Sequence, residues 1–177
     1  KEKFYFHRGK VNSYKNFDFL IEVFSEFIVD RKEWILEVFG ENSSTKKKEV
    51  VKYKNLKIKN NIIDHGLVKN NFLINKIMNA GGVIIPSLNE GFNFPLMEAL
   101  ALGAPVLSSN IPVSLELGKN YVKYFSPYIK RELLDKMNDL AINGYKEKVL
   151  IDGMNYARKF TWEASNKKLI NVYKKII

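Results

Sequence analysis

The sequence predicts an α/β fold in which a doubly wound parallel sheet is followed by a helical C-terminal tail. Short apolar segments alternate with amphipathic segments along most of the 177 residues, an order typical of parallel strands joined by helices. The predicted strands are almost continuously apolar, as strands covered on both faces are. No linker, internal repeat or low-complexity tract interrupts the pattern, so we expect one domain over residues 1–177.

The predicted elements follow one another regularly. Apolar runs predict strands near residues 3–7, 34–39, 61–64, 82–86, 105–109 and 121–125. Helical spacing and strong helix formers predict helices near residues 15–29, 45–56, 70–79, 94–102, 112–118, 128–142, 145–158 and 161–176. In such a fold the ligand lies beyond the carboxyl ends of the strands, so we expect functional residues in the loops that follow them.

Composition excludes several classes of protein. Hydrophobic residues make up 46% of the chain, enough for a packed core. The chain has no cysteine and two histidines, which excludes disulfides, thiol nucleophiles and histidine-rich metal sites. No apolar run approaches the roughly 18 residues that span a bilayer. Because the first residue is Lys1 and residues 4–6 already resemble a strand, we expect the chain to be part of a longer protein.

The formal net charge of +10 has two interpretations. A basic chain favours an anionic partner such as a nucleic acid, a phosphorylated ligand or an anionic membrane. Lysine, however, supplies 25 of the 29 basic residues, whereas nucleic-acid readers rely on the planar arginine side chain. A lysine-rich composition by itself also explains the charge, and we do not expect a nucleic-acid partner.

A basic loop follows the first predicted strand. It runs from His7 to Asn16 and contains Arg8, Lys10 and Lys15. The free N–H groups of a helix N-terminus favour a phosphate, and neighbouring cations would complete a diphosphate clamp. The loop lacks the glycines of the P-loop and of the G-x-G-x-x-G pattern, so a solvated basic turn is the alternative interpretation.

Two glutamates eight residues apart form the most informative pattern. Glu90 follows the predicted strand 82–86, and Glu98 lies in the next helix. Carboxylates at the mouth of a cleft accept hydrogen bonds from vicinal hydroxyls, which sugars and ribose both present. Alternatively, Glu90 stabilises a helix N-terminus and Glu98 is an exposed helix residue. Between the two, Gly91 and Asn93 flank a turn, and Asn tolerates a positive φ better than most residues.

Around these glutamates the sequence resembles the C-terminal, donor-binding domain of retaining GT-B-fold glycosyltransferases of family 4. Glu90 and Glu98 match the E-x7-E motif of that family. Further matching segments are Pro86-Ser87, Glu90-Gly91-Phe92, Pro95, Glu98-Ala99, Gly103-x-Pro105-Val106, Tyr14-Lys15-Asn16-Phe17, Phe160-x-Trp162-Glu163 and Tyr173. The resemblance covers essentially the whole chain and implies a Rossmann-like sheet, the C-terminal half of a GT-B fold.

The resemblance implies roles for the basic loop and for the base pocket. Lys15 would bind the diphosphate of a sugar nucleotide and act in catalysis on the leaving group. A second cation normally precedes this lysine, and Arg8 and Lys10 both qualify. The loop departs from the family's usual spacing, so both stay candidates. Gly40 and the turn from Gly66 to Val68 would border the base.

The resemblance assigns the two carboxylates to the sugars of the ligand. Glu90 would be the catalytic carboxylate that holds the transferred sugar, and Glu98 would accept hydrogen bonds from the ribose hydroxyls. The backbone beside the transferred sugar and its phosphate would be that of Gly91, Phe92, Asn93 and Phe94. Asn93 replaces the glycine more frequent in the family. With a positive φ at this position little changes, and without it the sugar pocket is reshaped.

The implied reaction requires no metal or other cofactor. The leaving group is a nucleoside diphosphate, so the site must stabilise growing negative charge, which Lys15, its companion cation and helix N-termini would do. No DxD-like metal motif occurs in a suitable loop. The acceptor, a glycan or a lipid-linked molecule, would bind to an N-terminal domain missing from this chain. We therefore expect the isolated domain to be inactive, and His65 not to be a general base.

The sequence thus predicts the donor domain of a transferase that moves a hexose-type sugar in the synthesis of a cell-surface polysaccharide. Two alternatives stay open: a non-catalytic nucleotide- or nucleic-acid-binding module that uses the basic face, and a sugar-nucleotide epimerase of related GT-B fold. The carboxylates Glu90 and Glu98 argue against a module built for polyanions, and the F-x-W-E tail argues against an epimerase.

The predicted location is the cytoplasm, with peripheral contact at the inner face of the membrane as a further hypothesis. The lysine-rich stretches 46–59 and 167–175 would face anionic headgroups. A solvated basic face is the alternative.

Overall fold

The computed structural model describes residues 2–8, 13–40 and 58–176. Six strands of this part form one sheet: β1 (Phe4–Arg8), β2 (Ile35–Phe39), β3 (Ile62–Gly66), β4 (Gly82–Ile85), β5 (Val106–Ser109) and β6 (Lys123–Phe125). The strand order is β3-β2-β1-β4-β5-β6, and every neighbouring pair is parallel. The predicted parallel sheet is confirmed.

Helices occupy both faces of this sheet. Those in the described part are α1 (Phe17–Phe27), α2 (Asn70–Asn79), α3 (Phe94–Ala101), α4 (Pro112–Gly118), α5 (Lys130–Asn143), α6 (Glu147–Ala157) and α7 (Trp162–Tyr173). Helices α1 and α5 pack on one face, and α2, α3, α4 and α6 pack on the other. The fold is therefore doubly wound, as predicted. The predicted helix at 45–56 lies outside the described residues.

Strand β1 shows how the alternation of side chains builds two cores. The Tyr5 side chain packs with α1 and α5, whereas Phe4 and Phe6 pack on the opposite face. All three are at most 3% exposed, because successive side chains of a strand point to opposite faces and both faces are covered. Each such burial contributes roughly 1.5–3 kcal/mol to stability. Strand β1 lies inside the sheet and contributes side chains to both cores.

Strand β3 extends further than the sequence predicts. It runs over Ile62–Gly66 rather than 61–64, so His65 and Gly66 belong to the strand instead of ending it. The pairing of β2 with β3 continues to Phe39 and Gly66, after a shift in register between Val38 and Phe39. This irregularity adds one residue to β3 and moves His65 next to the end of β2.

The point at which strand order reverses lies between β1 and β4. These strands are neighbours, but the chain proceeds from β1 to β2 on one side and from β4 to β5 on the other. The chain therefore continues in opposite directions after β1 and β4, and the carboxyl end of this strand pair is the usual ligand position in this architecture.

Helix α7 differs from the other long helices because none of its residues is buried. Its side chain Trp162 is 79% exposed. No helix in the described part of the chain is both long enough and apolar enough to cross a membrane.

Candidate functional site

The loops after β1 and β4 meet at the switch point. The N–H of Leu88, in the loop after β4, donates to the carbonyl of Tyr14 at 2.7 Å. Tyr14 belongs to a single 3₁₀ turn, Ser13–Lys15, that leads into α1. This bond places Lys15 beside the loop that carries Glu90, although the two residues are far apart in sequence.

A buried ion pair joins these loops. The Lys15 Nζ atom lies 2.5 Å from Glu90 Oε1, and the two side chains are only 10% and 11% exposed. The Ser87 hydroxyl donates to the same carboxylate oxygen at 2.7 Å. The loop around Ser87 is held in turn by Ser109 of β5, whose hydroxyl donates to the Ser87 carbonyl at 2.5 Å. Glu90 is thus fixed by two donors in a position largely screened from water.

A second ion pair lies nearer to solvent. Arg8, the last residue of β1, donates through Nη1 to Glu98 Oε2 in α3. These side chains are 36% and 40% exposed, so water screens their attraction far more than that of the first pair. Lys15, Glu90, Arg8 and Glu98 thus form two cation–carboxylate pairs at the switch point. Lys10, the other candidate for the second cation, lies outside the described residues.

Asn93 precedes α3 with a left-handed backbone conformation, φ 54° and ψ 55°. Of the two outcomes expected for an asparagine at this position, the one with a positive φ is therefore observed. Its backbone carbonyl accepts from the N–H groups of Leu96 and Met97 at 3.1 and 3.3 Å. Asn16 precedes α1 with the same φ, 54°, so two asparagines redirect the chain into a helix at this edge of the sheet.

The turn before α3 has amide groups to offer a ligand. Within the described part of the chain, the N–H groups of Gly91, Phe92 and Phe94 form no hydrogen bond. The Phe92 ring lies 6.4 Å from the Phe160 ring, centroid to centroid, so two of the sequence segments that carry the resemblance are in contact. Free N–H groups and the positive end of the helix dipole favour an anion beside this turn.

His7 is a buried residue of the site that the sequence analysis did not single out. It is 2% exposed, and its Nδ1 atom donates to the Ile84 carbonyl at 3.0 Å, which fixes the neutral tautomer. Burial is the main reason that the pKa of His7 falls to about 4; the nearby Lys15 charge acts in the same direction, whereas the bond to Ile84 and the Glu90 carboxylate oppose it. In the sequence, the signal that could have identified His7 was its position at the end of a predicted strand.

The Gly66–Val68 turn, expected to border the base, begins at the last residue of β3. The N–H of Gly40 donates to the Gly66 carbonyl at 2.9 Å, which joins the ends of β2 and β3. Gly66 has a φ of 59°, a value that glycine adopts without strain. The turn lies at the same edge of the sheet as the two ion pairs, because parallel strands end together.

His65 belongs to a separate polar cluster on β2, β3 and α2. Its Nε2 atom lies 3.0 Å from Glu37 Oε2, and Lys76 Nζ donates to Glu37 Oε1 at 2.7 Å. The ring stacks on Phe39 at 4.5 Å. A glutamate in the middle of an apolar strand was a signal for this cluster that the sequence analysis passed over. His65 is held by Glu37 and Phe39, which is consistent with a structural role.

No group of three or more metal-ligating His, Cys, Asp or Glu side chains occurs among the described residues. The four charged side chains at the switch point consist of two cations and two carboxylates. Such a set provides donors for phosphate oxygens and acceptors for hydroxyl groups.

Comparison with known proteins places the chain in a family. The family model described as "Glycosyl transferases group 1" matches residues 1–164. The chain is 26% identical over 179 aligned residues to an uncharacterised glycosyltransferase of Methanocaldococcus jannaschii, covering 98% of this chain and 45% of that protein. It is 30% identical over 99 residues to the O-antigen chain mannosyltransferase B of Escherichia coli, covering 51% of this chain and 24% of that protein.

A solved structure gives the same result for the fold. The structure of HepE from Anabaena in complex with UDP and glucose superimposes with a TM-score of 0.83 at 16% identity, covering 98% of this chain and 48% of that one. This agreement confirms the expected Rossmann-like half of a GT-B fold. The chain spans less than half of the length of each of these three proteins. With the family model matching most of its residues, this chain belongs to the glycosyl transferases group 1 family.

Proposed function

We propose that this chain is the donor-binding domain of a retaining glycosyltransferase, which transfers a sugar from a sugar nucleotide to a glycan or lipid-linked acceptor. The observation that carries the proposal is the meeting of two cation–carboxylate pairs at the switch point, Lys15 with Glu90 and Arg8 with Glu98. A sugar nucleotide presents a diphosphate between two sets of hydroxyls, and this set of side chains matches both kinds of group.

Each residue of the two pairs has a role in this proposal. Lys15 and Arg8 bind the diphosphate. Of the two candidates for the second phosphate ligand we assign Arg8, because its guanidinium lies beside Glu98 in the site. Glu98 accepts hydrogen bonds from the ribose, and Glu90 holds the transferred sugar. We call this set of four residues, together with the turn Gly91–Phe94, the donor site.

The chemistry of the donor site follows from charge. The departing nucleoside diphosphate gains negative charge, which Lys15, Arg8 and the free amide groups of the turn stabilise. We propose that this stabilisation makes a metal or other cofactor unnecessary. The acceptor binds to a second domain, and the isolated donor domain binds its ligand without turning over.

The biological setting belongs to the same proposal. The similarity to an O-antigen chain mannosyltransferase supports a role in the synthesis of a cell-surface polysaccharide from a hexose-type donor. The structure of HepE with UDP and glucose makes UDP-glucose a natural first ligand to test. A chain without cysteine fits the reducing cytoplasm.

Calorimetric titration with UDP, GDP and ADP, each alone and as its hexose conjugate, tests the proposal. We expect at least one nucleoside diphosphate to bind, with an affinity that falls only modestly as salt is raised. A single-stranded oligonucleotide is the control. Tighter binding to the oligonucleotide, collapsing steeply with salt, would favour a module for polyanions instead.

Membrane contact is a second candidate, supported by α7. The side chains Trp162, Leu169 and Tyr173 recur at helical spacing on one face and are all more than half exposed. Lys167 and Lys168 lie on the other side of the helix by the same spacing, and Lys174 and Lys175 follow its end. Such a pattern is typical of helices at an anionic surface. Co-sedimentation with neutral and anionic vesicles tests this contact: equal binding to both would reject it. The lysine-rich stretch 46–59 falls largely outside the described residues and carries none of this argument.

A further inference from the structure

A network of buried polar side chains lies behind the Gly91–Phe94 turn. Asn93, Ser108 and Ser114 are each at most 1% exposed. The Asn93 amide donates through Nδ2 to Ser114 Oγ at 2.9 Å, and the Ser108 hydroxyl donates to the same oxygen at 3.2 Å. The Tyr124 hydroxyl donates to the Ser114 carbonyl at 3.1 Å. The turn is thereby joined to α4, β5 and β6.

The network fixes the orientation of the Asn93 side chain. While Nδ2 donates to Ser114, Oδ1 accepts from the N–H of Leu96 at 3.4 Å. Only the nitrogen end of an amide donates and only its oxygen end accepts. In the reversed orientation the amide nitrogen of Asn93 would face the N–H of Leu96, and two donors would meet. Because buried polar groups without partners are unfavourable, the Asn93 side chain is held between α3 and α4.

The turn requires an unusual backbone conformation at residue 93. At φ 54° and ψ 55°, residue 93 adopts a conformation that glycine takes freely and that other residues take against steric resistance. Glu90 precedes the turn and Glu98 follows it in α3. A change of conformation at Asn93 would therefore move the two carboxylates relative to each other.

We propose that Ser114 is a positioning residue of the donor site and acts through Asn93. By accepting the Asn93 amide, it keeps residue 93 in the left-handed conformation and so sets the path of the turn and the start of α3. Among the described residues, Ser114 forms its side-chain hydrogen bonds with Asn93 and Ser108, and none with Glu90 or Glu98. The inference rests on the proposed function, because it concerns the ligand of the same donor site.

A cycle of four proteins tests this inference: wild type, Ser114→Ala, Asn93→Gly and the double variant. The ligand is whichever of UDP, GDP and ADP binds wild type most tightly, alone and as its hexose conjugate. We expect Ser114→Ala to weaken binding of the conjugate about tenfold, because the Asn93 amide loses its acceptor. In the Asn93→Gly background the same substitution should change affinity less than about twofold, since glycine requires no anchor.

Asn16→Gly provides the matched control background. Asn16 has the same φ and the same place before a helix as Asn93, but its amide donates to the Pro127 carbonyl at 2.9 Å and not to Ser114. In this background Ser114→Ala should still weaken binding about tenfold, relative to Asn16→Gly alone. Loss of the effect in both glycine backgrounds would overturn the inference.

Melting temperatures distinguish a positioning role of Ser114 from a purely structural role. If Ser114→Ala lowers the melting temperature equally in all backgrounds and leaves affinity unchanged, Ser114 is structural and the inference is wrong. If Ser114→Ala does not fold, Ser114→Cys, whose sulfur is a weaker acceptor, should weaken binding less than tenfold, but still more in the wild-type and Asn16→Gly backgrounds than in Asn93→Gly. If wild type binds none of the nucleotides, the proposed function itself falls; if wild type binds and Ser114→Ala binds equally well, only the inference falls.

Discussion

The two ion pairs of the donor site combine the same charges in different surroundings. Lys15 and Glu90 are about nine-tenths buried, whereas Arg8 and Glu98 are more than one-third exposed. An exposed pair contributes about 0–1 kcal/mol to stability, but removing one partner of a buried pair costs about 3–5 kcal/mol because the other charge stays without compensation. Separating the buried pair therefore costs much stability, whereas the exposed pair can separate at little cost.

Within the proposed function, this difference gives the two pairs different parts in binding a diphosphate. Arg8 would leave Glu98 at little cost, which would free the cation for phosphate and the carboxylate for ribose at the same time. Lys15 would stay beside Glu90 and bind the phosphate from a fixed position. Predictions for Lys15, His7 and Arg8 follow in order of decreasing effect on stability, and those for Lys15 and Arg8 test whether the two pairs differ in this way.

Lys15→Ala is expected to have the largest effect. It leaves Glu90 buried without a cation, so the free energy of unfolding should fall by about 3 kcal/mol or more, and diphosphate binding should weaken by roughly 1.5–3 kcal/mol. Nucleoside binding should hardly change. Urea unfolding and calorimetry measure these quantities. The charge-free pair Lys15→Met with Glu90→Gln should recover most of the stability but not the binding, and unchanged stability of Lys15→Ala would contradict a buried pair.

His7 makes the buried side of the site sensitive to acid. Its pKa lies near 4 in the folded state and near 6.5 in an unfolded chain, so the folded state binds fewer protons between these values. The free energy of unfolding that depends on neutral His7 is fully present above pH 6.5 and is lost as pH falls towards 4. Between pH 7 and about pH 4.5 the loss should be about 2 kcal/mol.

The variant His7→Gln isolates that contribution from those of the carboxylates. Its unfolding free energy, measured in urea at both pH values, should fall less than that of wild type over the same range. A wild-type loss no larger than that of His7→Gln would show that His7 is accessible to protons in the folded protein.

Arg8→Ala should have the smallest effect on stability. Its partner Glu98 is partly exposed and can be hydrated when left alone, so the free energy of unfolding should change by less than about 1 kcal/mol. Diphosphate affinity should nevertheless fall about tenfold. Thermal unfolding and titration on one preparation measure both. If Arg8→Ala destabilises the protein as much as Lys15→Ala, the contrast between the pairs is wrong.

Much of this site was predictable from local sequence. Lys15 begins a predicted helix, Glu90 follows a predicted strand and Glu98 lies in the helix after it. The carboxyl ends of parallel strands share one edge of a sheet. The positive φ of Asn93 was one of two stated outcomes, since asparagine tolerates it.

The partnerships within the site were not predictable. Lys15 and Glu90 are 75 residues apart, and Arg8 and Glu98 are 90 residues apart. Which cation meets which carboxylate depends on how two loops meet after folding, and no local pattern reports that. The burial of His7 and the bond between Ser114 and Asn93 were hidden for the same reason. Serine and histidine occur in loops as readily as in cores. Whether these two residues are buried depends on how β1 packs against β4 and how α4 packs against the turn.

The most direct test of the donor site compares Glu98→Ala with Glu90→Gln. Each variant is titrated with the nucleoside diphosphate that binds wild type best and with its hexose conjugate, and melting curves are recorded alongside. Glu98→Ala should lose affinity for both ligands by about tenfold, because the ribose is present in both. Glu90→Gln should bind the diphosphate about as well as wild type, since Glu90 is assigned to the transferred sugar and not to the diphosphate, but should lose affinity for the conjugate. Lower melting temperatures in both variants with no selectivity between the ligands, or wild-type diphosphate affinity in Glu98→Ala, would contradict the donor site.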